Sequence, residues 1–134
     1  MISKNLLGLC AALGASILST PVIAYAQAPT VKVTVLTIID VIPDYAVANN
    51  VEASVALLGK LAADTQHAPG VVSFKILRDA QRDNHFVITG IWKDLKSYQL
   101  YSGAQTTLAF RREFGPKEAG PFDERIYIDL KDAS

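Results

Sequence analysis

The chain has 134 residues, enough for one domain, and its 13 basic and 13 acidic residues cancel. That balance excludes the electrostatic footprint of a nucleic-acid binder and a polybasic patch for a membrane surface. The single cysteine, Cys10, lies near the N-terminus; a chain that has lost that end carries no disulfide, thiolate nucleophile or cysteine metal site.

Residues 1–26 read as a secretory signal peptide. Lys4 supplies the positive start, Leu6 to Leu18 is an uncharged run, and Pro21 breaks it. Ala24-Tyr25-Ala26 then offers small residues for cleavage before Gln27. The run is too short and too rich in glycine and alanine for a comfortable membrane span, although an uncleaved anchor is the alternative. The expected protein is exported, periplasmic or secreted, and free of the membrane after cleavage. Residues 27–30 are a linker and 31–134 the domain.

A first strand is expected over 31–39, with Val31, Val33, Val35 and Thr37 on one face and Lys32, Thr34, Leu36 and Ile38 on the other. After a connection at 40–43, the spacing of Val47, Val51, Val55, Leu58 and Leu61/Ala62 predicts a long helix over 44–66. Asn49-Asn50 marks an alternative, later start. Pro69-Gly70 turns the chain into a hairpin with strands at 71–77 and 86–92, rich in β-branched and aromatic residues and joined by the polar stretch 78–84. Asp94 is the expected N-cap of a short helix to about Tyr101, Ser102-Gly103 interrupts it, and a second piece runs from about Ala104 to Phe114. Gly115-Pro116 ends that piece. A last strand, 124–130, alternates Ile126, Ile128 and Leu130 with Arg125, Tyr127 and Asp129.

The order β-α-β-β-α-β is the ferredoxin-like split arrangement, an α+β fold with an antiparallel sheet and helices on one face. Both faces of the first three strands are rather apolar, so the face without helices needs cover, which a second copy packed sheet to sheet would give.

Several short stretches follow one another in a telling order and spacing: Pro43 opening the helix, Pro69-Gly70 before the second strand and Phe74 within it. Asp83-Asn84-His85-Phe86 at the hairpin, Trp92 at its end and Lys93-Asp94-Leu95-Lys96-Ser97-Tyr98 continue the series. Over residues 33–130 the chain thus resembles the antibiotic biosynthesis monooxygenase family of dimeric α+β barrels. The resemblance implies a homodimer with a small pocket between sheet and helices in each subunit. It also implies a monooxygenase that needs no cofactor, neither metal nor flavin, and uses molecular oxygen on a small aromatic molecule, a phenol, quinol or anthrone. A phenol deprotonated in a dry pocket can itself give an electron to oxygen.

By the same resemblance Trp92 stacks on the substrate, Tyr98 and Tyr101 hold its oxygen, and Arg112 stabilises charge, with Arg111 in that role if the register slips by one. Phe74, Ile88 and Tyr45 complete the substrate-binding set. Two positions depart from the family pattern. Ile88 stands where anthrone-oxidising relatives have an asparagine, and Tyr101 stands where many members have a histidine, which replaces a group that titrates near neutrality by a phenol. Residues 94–115 contain no histidine to serve as a haem ligand.

Each residue also has a plain reading. Trp92 can be a core residue closing the hairpin. Tyr98 and Tyr101, three apart on one helix face, can simply pack their rings. Arg111 and Arg112 can be solvated charges. His67 and His85 have no partner at metal-ligand spacing; His67 suits a helix C-terminus, and His85 is expected exposed at the hairpin turn. The rival to catalysis is a non-catalytic module of the same fold, binding a small apolar ligand or assembling with another exported protein through its sheet.

Overall fold

The computed structural model describes residues 30–133. The expected signal peptide, its expected cleavage site and the expected linker up to residue 29 therefore lie outside the described residues. Four strands form one antiparallel sheet in the order β2-β3-β1-β4: β1 is Val33–Asp40, β2 Val71–Arg78, β3 His85–Trp92 and β4 Asp123–Ile128. Three helices, α1 (Asn50–Thr65), α2 (Leu95–Ser102) and α3 (Gln105–Phe114), complete it. The element order is the split β-α-β-β-α-β expected, with the second helical region in two pieces.

Alternation places the core. Val33, Val35, Thr37 and Ile39 of β1 are buried, as are Phe86, Ile88, Gly90 and Trp92 of β3, while the residues between them are half-buried or exposed. The register Val33↔Trp92, Val35↔Gly90, Thr37↔Ile88 and Ile39↔Phe86 stacks these two rows into one surface. Two clusters sit on it. Ile39, Val41, Val51, Leu58, Phe86, Ile88 and Phe114 form the larger. Val33, Val35, Trp92 and Tyr98 form the smaller.

The longest helix begins later than its apolar spacing predicts. Residues 44–49 are turns and a bend, Val47 is 45% exposed, and Pro43 precedes the helix by seven residues instead of opening it. Asn49 carries a positive φ of 58° and gives no side-chain cap. The start is held instead by Asp44, whose Oδ1 accepts from the Val51 N–H at 2.8 Å, and by Asn50, which donates to the Ile42 and Lys117 carbonyls at 2.8 and 3.1 Å. The Asn49-Asn50 alternative is thus the observed one. Small polar residues, Ser54 and Thr65, share the buried stripe with Val51 and Leu58.

The last strand ends at Ile128. Leu130 lies in a 3₁₀ turn and is 88% exposed, so it does not continue the alternation. His85 is less exposed than a turn residue, because β3 begins with it and its Nδ1 lies 2.7 Å from Asp40 Oδ1. Among the described residues, no helix is long and apolar enough to cross a membrane.

Candidate functional site

A tight junction positions the site. Gly70 has φ 84°, and a Cβ there would lie 2.5 Å from Ser97 Cβ and Oγ, so the turn into β2 presses directly on the first turn of α2. The Lys93 N–H donates to the Gly70 carbonyl at 2.8 Å. Asp94 caps α2 as expected: its Oδ1 accepts from both the backbone N–H and the hydroxyl of Ser97, each at 2.7 Å. These bonds hold the Asp94 carboxyl below its ordinary value, the Ser97 hydroxyl contributing most. The chain therefore leaves Trp92 and enters α2 at a fixed angle, which carries Tyr98 and Tyr101 back over the indole.

The three rings form one aromatic group. Trp92 and Tyr98 meet edge to face with centroids 5.7 Å apart and planes at 60°, and Trp92 and Tyr101 are closer, 4.6 Å apart at 35°. Trp92 is only 1% exposed. Its indole lies back across its own strand, where the absent side chain of Gly90 leaves room: a Cβ at that position would be 2.9 Å from Trp92 Nε1. Trp92 is thus both the core residue and the wall of a cavity, and the two readings of it do not exclude one another.

That cavity, of about 40 Å³, lies between the sheet and the helices. Phe74, Ile88, Trp92, Tyr98, Tyr101 and Arg111 line it, together with Val35, Thr37, Gly90, Leu61, Thr107, Phe110, Phe122 and Glu124. Two expected site residues do not. Tyr45 is 93% exposed in the turn before α1, since the later helix start leaves it outside the packed layer. Arg112 is exposed, while Arg111 faces the cavity. The phase of α3 decides this. Phe114 is fully buried and stacks with Phe110 at 5.2 Å, and about 100° per residue then turns Arg111 inward and Arg112 out.

Glu124 is a site residue that spacing alone did not reveal. It sits opposite Thr37 on β4, and its Oε2 accepts from Arg111 Nη2 at 2.8 Å. The Arg111 guanidinium also lies 5.4 Å from the Phe122 ring centroid. The sequence holds a signal for it: Glu124 shares the strand phase of Ile126 and Ile128, a charge in the apolar register. Thr65 and Thr107 are further additions. The Tyr101 hydroxyl lies 2.9 Å from Thr65 Oγ1, with the Thr107 hydroxyl beside it.

Electrostatically, both phenols are held in the O–H form. Burial above all, then the Glu124 carboxylate, pushes the Tyr98 hydroxyl far above its ordinary value. Burial pushes Tyr101 up as well, against the hydrogen bonds of Thr65 and Thr107 and the charge of Arg111. Both stay protonated near neutral pH. One end of the cavity thus offers two O–H groups, a guanidinium and a carboxylate; the remainder is apolar. Among the described residues there is no group of three or more His, Cys, Asp or Glu that could hold a metal ion.

Comparison with known proteins gives the same picture at larger scale. The family model described as antibiotic biosynthesis monooxygenase matches residues 34–113. A Nitrosomonas europaea structure that carries that family's name superimposes with a TM-score of 0.67 at 22% identity, over 79% of this chain and 95% of that one. SnoaB of Streptomyces nogalater, a cofactor-independent oxygenase solved as a variant, gives 0.63 at 16%, over 74% and 93%. Rv0793 of Mycobacterium tuberculosis gives 0.66 at 20%, over 77% and 99%. At these identities the likeness is one of fold. No curated protein matches the chain.

Proposed function

The chain belongs to the antibiotic biosynthesis monooxygenase family, and on that premise we propose that it is a cofactor-independent monooxygenase of a small hydroxylated aromatic, a phenol, quinol or anthrone-like compound. The observation that carries this reading is the buried indole flanked by two protonated tyrosines, with the Arg111–Glu124 pair at the same end of the cavity.

A flat ring laid against Trp92 gains stacking area, and its oxygen meets the Tyr98 and Tyr101 hydroxyls. Those bonds strengthen as the oxygen acquires negative charge, and the Arg111 guanidinium adds a fixed positive charge near it. Glu124 accepts from a neighbouring substrate hydroxyl and so orients the ring. For an anthrone-like substrate, a ring methylene and dioxygen give a ring ketone and water. Both C–H bonds of the methylene break, and the electrons released reduce dioxygen. One oxygen atom enters the product as the carbonyl, and the other leaves as water with both protons. No external reductant enters that balance.

We place the protein outside the cytoplasm, on the signal-like residues 1–26, and as a homodimer. The support for the dimer is the face of the sheet without helices. Leu36, Ile38, Val87 and Ile91 lie side by side there, and Leu77 is 55% exposed. A second copy is the simplest cover for such a face.

Oxygen uptake by the purified chain, measured with a panel of quinols and anthrones, tests the chemistry. Tyr98→Phe is expected to lower kcat/KM by roughly 10²–10³, the usual loss of one oxyanion donor. Uptake undiminished in that variant and in Trp92→Leu would remove the assignment. A second reading, a ligand-binding module without catalysis, is favoured by Ile88, which brings no polar group to the wall, and by the small volume of the cavity. Ligand binding with no uptake would support it.

A further inference from the structure

Two hollows meet at Tyr101. The inner one is the cavity beside Trp92. The outer one is a groove of about 850 Å³ on the helical side, bounded by α1 on one flank and by α2 and α3 on the other. Leu61, Tyr101, Thr107 and Phe110 line both. Beyond them the groove has an aliphatic part, Leu57, Ala68, Leu100 and Ala109, with Lys60, Asp64, Lys93 and Glu113 also among its lining residues.

The inner cavity, at about 40 Å³, has room for a few waters. An aromatic ring fits there only if a wall moves. Tyr101 is placed to be that wall. It lies in the last turn of an eight-residue helix, before the Ser102-Gly103 break, and its hydroxyl is tied to Thr65 of α1 at 2.9 Å. The other side of the cavity is less suited to an apolar visitor. There Arg111 is held between the Glu124 carboxylate at 2.8 Å and the Phe122 ring, so a ring entering that way passes an ion pair.

We propose that the outer groove receives the flat apolar ring bound by the inner cavity, and that Tyr101, released from Thr65, swings aside to admit it. The groove is of the size that small-molecule sites have, and four shared residues make up the wall between it and the cavity. This goes beyond the oxygenase reading and does not depend on it, since the passage would serve a binding module equally.

The chain contains one tryptophan, so emission reports on the inner cavity alone. Collisional quenching by acrylamide measures how often the cavity opens. A neutral hydrogen bond of this kind shifts an opening equilibrium by about two- to tenfold. Tyr101→Phe and Thr65→Val should each raise the quenching constant of Trp92 by that factor, with the far-ultraviolet circular dichroism unchanged. Adding Ala109→Phe, which narrows the groove away from the cavity, should bring the raised constant of Tyr101→Phe back toward the wild-type value. Wild-type quenching in both single variants overturns the proposal. So does a raised constant in Tyr101→Phe that Ala109→Phe leaves untouched, or a rise in Arg111→Ala alone, which would put the entrance at the β4 edge. Oxygen uptake is read separately, so failure of the passage and failure of the catalytic reading are distinguishable.

Discussion

At the scale of single residues, two glycines separate by what surrounds them. Gly70 combines a φ of 84° with Ser97 atoms 2.5 Å from any added Cβ. Gly70→Ala is therefore expected to destabilise the fold by about 1–3 kcal/mol from backbone strain, with the steric clash in addition. Gly59 lies exposed within α1, and nothing stands within 4 Å of a Cβ there. Gly59→Ala should stabilise by up to about 1 kcal/mol. Urea unfolding midpoints of the pair check both signs. Legibility follows similar local logic. Spacing and resemblance suffice to bring Trp92, Tyr98, Tyr101, Phe74 and Ile88 to the cavity, because each falls on a strand or helix face whose phase the neighbouring residues fix. Arg111 and Arg112 are not separable that way, because the phase of α3 is set by Phe114 entering the core, a tertiary fact. Tyr45 leaves the site because the helix turn expected to carry it does not form.

At the scale of elements, strands are more legible than helix starts. Period-two alternation in β1 and β3 survives any local detail, whereas the spacing of Val47 with Val51 mimics one more turn of α1. What overrides it is the Asp44 carboxylate taking the Val51 N–H, one of the donors a helix start leaves free, which fixes the start at Asn50. The α2 cap carries a testable pH signature. The folded value of Asp94 is depressed, so its stabilising contribution is full above the ordinary carboxylate value, near 3.8, and is lost as pH falls through the folded value. Asp79, held by the Gln81 and Arg82 N–H groups, acts in the same direction. Asp94→Asn is thus expected to flatten part of the decline in stability below about pH 4, with Asp79→Asn removing a further part. Denaturant midpoints between neutral pH and about pH 2 would show a slope unchanged by either variant if the caps contribute nothing.

At the scale of the whole molecule, the sheet has one face committed to the helices and one left bare. Half-buried aliphatic residues at 36, 38, 87 and 91 adjoin the exposed Leu77 on the bare side. Leu36→Arg would put a charge in the middle of that face, opposite Arg125 on β4 and Thr89 on β3. Sedimentation velocity should then show a dimer for the unaltered chain and a monomer for the variant, and a monomer in both cases would remove the homodimer from the proposal. The β1–β3–β4 register that aligns this face is not deducible from any one strand, which is also why the charge that Glu124 puts in the apolar phase of β4 gains a place in the site only with β4 beside Thr37. Gly90 has a further consequence for how such a pocket can diversify. Where the indole rests, the floor is peptide backbone, with Phe74 3.4 Å from any added methyl group and the indole nitrogen nearer still. Mutation can hardly resculpt that floor. New ligand preferences in descendants of this chain would have to arise around that spot, at strand positions such as Ile88 and Thr37 or in the ceiling, on the two short helices that carry Tyr98, Tyr101 and Arg111.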